Sequence, residues 1–152
     1  MSVSYKTSET QKNVVDSHFW DFGSDAALSS YIDGKIPANT VDDGLTIVTG
    51  GDLQKTDKSV DGITFKARFK LGGAGSIKSK CVKFDVPAGT TDIIVYGEPG
   101  GSSGIRSVVI NDGKENKYEL KEKMSVKYTY TGDAKTIYIY GCLLYTSDAA
   151  DE

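Results

Sequence analysis

From Asp43 onward the chain alternates apolar and polar residues with a period of two. "DGITFKARFKLGG" sets Ile63, Phe65, Ala67, Phe69 and Leu71 on one face and Thr64, Lys66, Arg68 and Lys70 on the other. That is the pattern of an antiparallel strand buried on one side. "DGLTIVTGG" opens on the same Asp-Gly turn and sets Leu45, Ile47 and Thr49 against Thr46 and Val48. "KCVKFDVP" puts Val82, Phe84 and Val86 opposite Cys81, Lys83 and Asp85, and "DIIVYG" is apolar on both faces, as a central strand would be. "GIRSVVIND" ends in Asn-Asp-Gly, a hairpin signal, and "KYEL" continues after it. "MSVKYTY" gathers Met124, Val126, Tyr128 and Tyr130, and "KTIYIYG" sets Ile137 and Ile139 opposite Tyr138 and Tyr140.

Upstream the pattern weakens. Residues 1–16 are polar and read as a linker, and "HFWDF" reads as a short aromatic strand. "GSDAALSSYIDGKIP" offers a helical turn or two, with Ser24 or Asp25 as N-cap and Gly34 near the stop. About nine short strands with regular turn signals predict an all-β, antiparallel β-sandwich, jelly-roll-like in organisation. No helix is long enough to cover a sheet, so two sheets must cover each other.

Composition narrows the function classes. The 152 residues suffice for one domain with its own core. No run approaches the roughly 20 apolar residues of a membrane span, and the start of the chain has no apolar signal segment. The 21 acidic and 18 basic residues leave no basic excess for nucleic acid. Cys81 and Cys142 make no disulfide or zinc framework, and Cys81 reads as a small buried hydrophobe.

Catalytic groups are sparse, and no catalytic residue is expected. His18 is the single histidine. Asp42, Asp43 and Asp112 stand at turn signals, where Asp serves the backbone. The same carboxylates could hold a structural Ca²⁺; no other metal or cofactor is expected. "LGGAGS" lacks the helix that a phosphate loop needs behind it. What remains is a surface of Lys, Arg and Tyr. Aromatic faces stack on sugar rings, and Lys or Arg pairs with the carboxylates of acidic glycans. On that chemistry Lys66, Arg68 and Lys70, projecting from one face of one strand, with Tyr96, Tyr138 and Trp20, are candidate ligand-binding residues.

The order "FWDF…TVDDGLTIVTGG…KSVDGITFKARFKLGGAGS…KCVKFDV…TDIIVYG…IRSVVIND…YTYTGDAKTIYIYG" resembles a β-sandwich module of secreted polysaccharide-degrading enzymes of gut anaerobes. These are chiefly pectate lyases and pectinesterases of Bacteroidetes and Clostridia. The resemblance covers about residues 17–141, with "VDGITFKARFKLGG" and "YTYTG…TIYIYG" as its best markers. It implies a non-catalytic, carbohydrate-binding-type accessory domain beside a catalytic domain, secreted or at the cell surface. The implied partner is pectin or another plant polysaccharide, acidic ones included, with no membrane or nucleic-acid partner and a monomeric state. The pattern's frequent basic positions fall on Lys58, Lys70, Lys80 and Arg106, which adds Lys80 and Arg106 to the candidates. Lys80 stands where Arg is frequent, and Lys lacks Arg's bidentate grip on a carboxylate. A structural or adhesive spacer and a lyase using Arg106 near Asp112 are the alternatives.

The pattern runs past "TIYIYG" into a Ser/Gly turn and a final apolar strand, which this chain lacks. Instead "CLLYTSDAADE", Cys142 to Glu152, resembles over its full length the translated reverse complement of a transposase-type sequencing adaptor. Residues 142–152 are therefore expected to be a non-native tail. "CLLYT" is nonetheless apolar enough to extend as a strand, with "SDAADE" in solvent.

Overall fold

The structure, a computed structural model, describes residues 2–8, 15–71, 75–98, 105–112 and 116–144, and side chains within 18–71, 75–98, 107–112 and 116–141. Among these are thirteen strands and one short helix. In chain order they are β1 (Ser2–Ser8), β2 (Val15–Trp20), α1 (Ala26–Ser29), β3 (Gly34–Ile36), β4 (Thr40–Asp42), β5 (Leu45–Ile47) and β6 (Gly51–Val60), followed by β7 (Ile63–Phe69), β8 (Cys81–Val86), β9 (Gly89–Gly97), β10 (Ile105–Ile110), β11 (Lys117–Leu120), β12 (Met124–Gly132) and β13 (Lys135–Leu144). The large sheet has the order β11-β10-β13-β8-β5-β4, the medium sheet β12-β9-β1-β2 and the small sheet β3-β6-β7. Every pairing is antiparallel.

The chain is thus an all-β antiparallel sandwich, as its period-two pattern predicts, built on more strands than the nine expected. The excess comes from stretches with little apolar signal. Residues 1–16, expected as a linker, contain β1, whose backbone pairs with both β9 and β2. Backbone pairing asks only for an extended chain with N–H and C=O groups to share, so a polar strand left no hydrophobic trace. Polar β6 was missed for the same reason.

The turns follow their residues closely. Asp43-Gly44 and Asp61-Gly62 both take positive φ, closing the β4–β5 and β6–β7 hairpins as two-residue turns require. Asn111 and Asp112 do so at the end of β10, which pairs with β11 as the Asn-Asp-Gly signal predicts. Asp25 caps α1, its Oδ1 accepting from the N–H groups of Ala27 and Leu28 at 2.9 Å.

One core joins the sheets. Trp20 of β2 lies against Phe84 of β8 with ring centroids 5.0 Å apart, and Phe22 stacks on Phe69 at 5.4 Å. Around them Leu45, Ile47, Val82, Ile93, Val95, Ile137 and Ile139 are fully buried. Burial of these apolar faces is the main stabilising term.

The β6–β7 hairpin serves both sides of the medium sheet. Near its base Leu53, Ala67 and Phe69 enter the main core. Beyond a register shift between Lys55 and Lys58, a bulge of the kind that bends a hairpin, Phe65 meets Phe19 and Tyr96 at 6.2 and 5.3 Å. Phe19 and Tyr96 alternate with the buried Trp20 and Val95, so they stand on the sheet's outer face. The hairpin tip reaches β12, where the Ser125 hydroxyl hydrogen-bonds Asp61.

β13 is flanked on both sides, by β10 and β8, so the strand carrying "TIYIYG" is central. It continues through Leu144, with Cys142 opposite Ser107 and Leu144 opposite Ile105, as expected for the backbone of this apolar stretch; Tyr145–Glu152 lie outside the described residues. No helix among the described residues is long and apolar enough to cross a membrane.

Candidate functional site

The strip that collects outward-facing chemistry lies on the large sheet. The registers Val41↔Thr46, Thr46↔Lys83 and Lys83↔Tyr138 place four residues directly abreast on β4, β5, β8 and β13. Their neighbours along β5, β8 and β13, namely Leu45, Ile47, Val82, Phe84, Ile137 and Ile139, are buried in the core, and the register carries the same facing to Val41 on β4. Alternation therefore turns Val41, Thr46, Lys83 and Tyr138 outward. At roughly 4.8 Å per strand the row spans ~14 Å. Val41 is 64% exposed, and Thr46, Lys83 and Tyr138 are half-buried.

Two rims bound the row. On one side Thr136 Oγ1 donates to Asp85 Oδ1 at 2.6 Å. On the other, residues 75–80 fold back over β13. Gly75 N–H donates to the Gly141 carbonyl at 2.9 Å, and a Cβ on Gly75 would stand 2.8 Å from Tyr140 Cβ. That close approach covers Cys81, which is fully buried. Burial pushes its thiol up, against the opposing charge of Lys83, so Cys81 is a packing residue without thiolate reactivity. The same rim exposes Ile77, Lys78 and Lys80.

The candidate residues named from sequence separate into distinct places. Tyr138 lies in the row and Lys80 on its rim, where φ is +55° and the Lys80 N–H donates to Thr49 Oγ1 at 3.0 Å. Arg106 lies on β10 of the same sheet, opposite Leu120 and Leu143; its side chain lies outside those described. Lys66, Arg68 and Tyr96 belong to the hairpin and the medium sheet. There the expected cationic face is already matched by internal acids. Lys66 lies 3.5 Å from Asp57 Oδ1, and Arg68 Nη1 lies 2.7 Å from Glu98 Oε2. Arg68 Nε also donates to Gln54 Oε1 at 3.1 Å. Lys70 follows β7, beside the carboxylate of Asp52, which Lys35 and Lys70 hold below the usual range. Tyr96 packs in the aromatic group with Phe19 and Phe65, and burial and the charge of Asp61 raise its hydroxyl pKa.

Trp20 is not a surface residue. It is 2% exposed, and its indole N–H donates to the carbonyls of Asp42 and Asp43, each at 3.1 Å. Its ring is therefore committed to the core, and the exposed aromatic of "HFWDF" is Phe19, 46% exposed on the other side of β2. The parity of the strand carried that distinction; the sequence did not say which parity faced inward.

The turn carboxylates are dispersed as well. Asp43 Oδ2 pairs with His18 Nδ1 at 3.1 Å, with the imidazole stacked on Trp20. Asp112 accepts from the Tyr140 hydroxyl, and three strands of the large sheet separate its neighbourhood from β4. Asp42 faces Asp25 instead. Among the described residues no group of three or more His, Cys, Asp or Glu side chains is arranged to hold a metal ion.

Lys83 was not among the sequence-derived candidates. Its outward parity was legible in "KCVKFDVP", but its alignment with Tyr138 needed the β8–β13 register. No protein-family model matches the chain, and no curated protein matches it.

Proposed function

We propose that the chain is a non-catalytic carbohydrate-binding module, taking pectin or another plant polysaccharide for a larger secreted polysaccharide-degrading enzyme. The observation that carries the reading is the outward row Val41–Thr46–Lys83–Tyr138 across the large sheet. A row of this kind suits an extended polymer. It combines a tyrosine ring to lie against a sugar face, hydroxyls and an ammonium to meet sugar oxygens, and a rigid sheet that loses little freedom on binding.

Affinity gel electrophoresis in pectin-containing gels tests the reading. The folded protein is expected to be retarded, and Tyr138→Ala to weaken retardation roughly fivefold to tenfold, the loss of one stacked ring. Wild-type protein that runs unretarded in gels of pectin, arabinan, galactan and xylan would overturn binding and leave the spacer reading in its place.

A further inference from the structure

Lys83 differs from every other lysine whose side chain is described. The others are exposed, whereas Lys83 is half-buried. Lys35, Lys58, Lys66, Lys121 and Lys127 each have a carboxylate within ion-pair distance. Lys83 has none within that distance among the described residues; the nearest acid along its own strand, Asp85, stands two residues away and accepts from Thr136 Oγ1 at 2.6 Å. Its lateral neighbours in the row are Thr46 and Tyr138, neither of them a carboxylate. A half-buried ammonium outside ion-pair distance of any described carboxylate can meet an arriving anion with a charge-assisted hydrogen bond.

From this juxtaposition we infer that Lys83 is the recognition point for a carboxylate on the bound polymer. The ligand is then an acidic polysaccharide, a polyuronate, lying across β4, β5, β8 and β13 with one sugar against Tyr138. The inference rests on the carbohydrate-binding reading and specifies its ligand. Tyr138 supplies the apolar face that a sugar ring needs, and Thr46 a hydroxyl beside the ammonium. Lys78 and Lys80 stand exposed on the rim formed by residues 75–80, before β8 begins. The row itself holds a single ammonium, and a nucleic acid would demand a broad basic surface to neutralise closely spaced phosphates. The chain's 18 basic and 21 acidic residues do not supply one. Uronic acids, spaced along a chain that is otherwise hydroxyls and ring faces, fit one ammonium beside one tyrosine.

The test uses the whole chain, with polygalacturonate, its fully methyl-esterified form and single-stranded DNA as probes, measured by affinity electrophoresis or titration calorimetry. Wild-type protein is expected to bind the acid roughly tenfold more tightly than the ester, the usual worth of one charge-assisted contact. Lys83→Met, which keeps the stem and removes the charge, should erase that preference. Lys127→Met, on the medium sheet, should keep it. A second readout does not depend on any variant folding: reductive methylation of Lys83, followed by mass spectrometry, should be suppressed by polygalacturonate and not by the ester. Equal binding of acid and ester, with Lys83 unprotected, would overturn the carboxylate assignment while leaving carbohydrate binding intact. Lys83-dependent binding of DNA as tight as that of polygalacturonate would overturn it in favour of a general polyanion contact. Failure of both polysaccharides to bind would overturn the polyuronate assignment, and the carbohydrate reading would fall with it only if arabinan, galactan and xylan also left the protein unretarded.

Discussion

Arg68 Nη1 stands 2.7 Å from Glu98 Oε2, and Lys58 Nζ stands 3.4 Å from Glu98 Oε1. Residues from both strands of the β6–β7 hairpin therefore clasp the residue that follows β9. An arginine that looks from sequence like a ligand contact is an internal tie. Arg68→Ala is expected to cost up to about 1 kcal/mol, the range of partly exposed ion pairs, and to leave pectin retardation unchanged. Urea melts and affinity gels on the same variant check both halves.

The same clasp sets an acid-side dependence. Burial alone would raise Glu98, but its hydrogen bond with Arg68 and the charges of Lys58 and Arg68 hold it below the usual carboxylate range. A folded pKa below the unfolded one contributes stability above the unfolded value, and that contribution is lost as pH falls through the folded value. Glu98→Gln should therefore flatten the loss of stability below about pH 4.5, read as Tm against pH beside wild type.

Asp42 behaves oppositely. Burial, the neighbouring Asp25 carboxyl and the charge of Asp43 push it up to about 6. Its Oδ2 is buried without a hydrogen-bond partner, an environment that disfavours the charged carboxylate. Asp25 is held low, against its own burial, by Asp42 and by the N–H groups of Leu28 and Ala27. A raised carboxyl pKa makes the folded state gain stability as pH falls from above 6 towards the unfolded value near 4. Asp42→Asn, which keeps a donor without the charge, should be more stable than wild type at pH 8 by about 1 kcal/mol after allowance for solvent screening. The two should converge near pH 4 to 5. Thermal melts at both ends of that range test it, and a variant less stable than wild type at pH 8 would refute the raised Asp42 carboxyl.

Phe65 and Phe19 share one aromatic contact but not one energy. Phe65 is 6% exposed and Phe19 46%. Phe65→Ala should cost about 3 kcal/mol through lost burial and the cavity left behind, and Phe19→Ala under about 1 kcal/mol. Chemical denaturation distinguishes them. Near-equal losses would mean that the hairpin does not close over the sheet.

Gly50 and Gly44 are glycines for different reasons. A Cβ on Gly50 would lie 2.0 Å from the Ile36 carbonyl oxygen and 2.8 Å from Ala38 N, backbone atoms that cannot rotate aside. Gly44 has open space around it but φ +85°. Gly50→Ala is expected to cost about 3 kcal/mol or more through overpacking, and Gly44→Ala about 1 kcal/mol through strain alone. Melting of the two variants side by side checks the order.

Sequence by itself determined the class of fold and the inward parity of most strands, because alternation is a local property and the core accepts one face of each strand. Ile63 to Phe69, Val82 to Val86 and Ile137 to Ile139 were read from that alone. So were the Asp-Gly and Asn-Asp turns, whose positive φ the residues themselves favour. What only tertiary structure decided was who stands beside whom. β1 is polar, and its place between β9 and β2 rests on backbone hydrogen bonds that any extended chain can make. Arg68 became an internal tie because the bent hairpin brought it to Glu98, thirty residues away. Trp20 and Phe19 differed only in which parity turned inward. Lys83 met Tyr138 through a register between strands more than fifty residues apart, set by the fit of the whole core. Pairing across a sheet is a non-local choice, and no window of the sequence contains it.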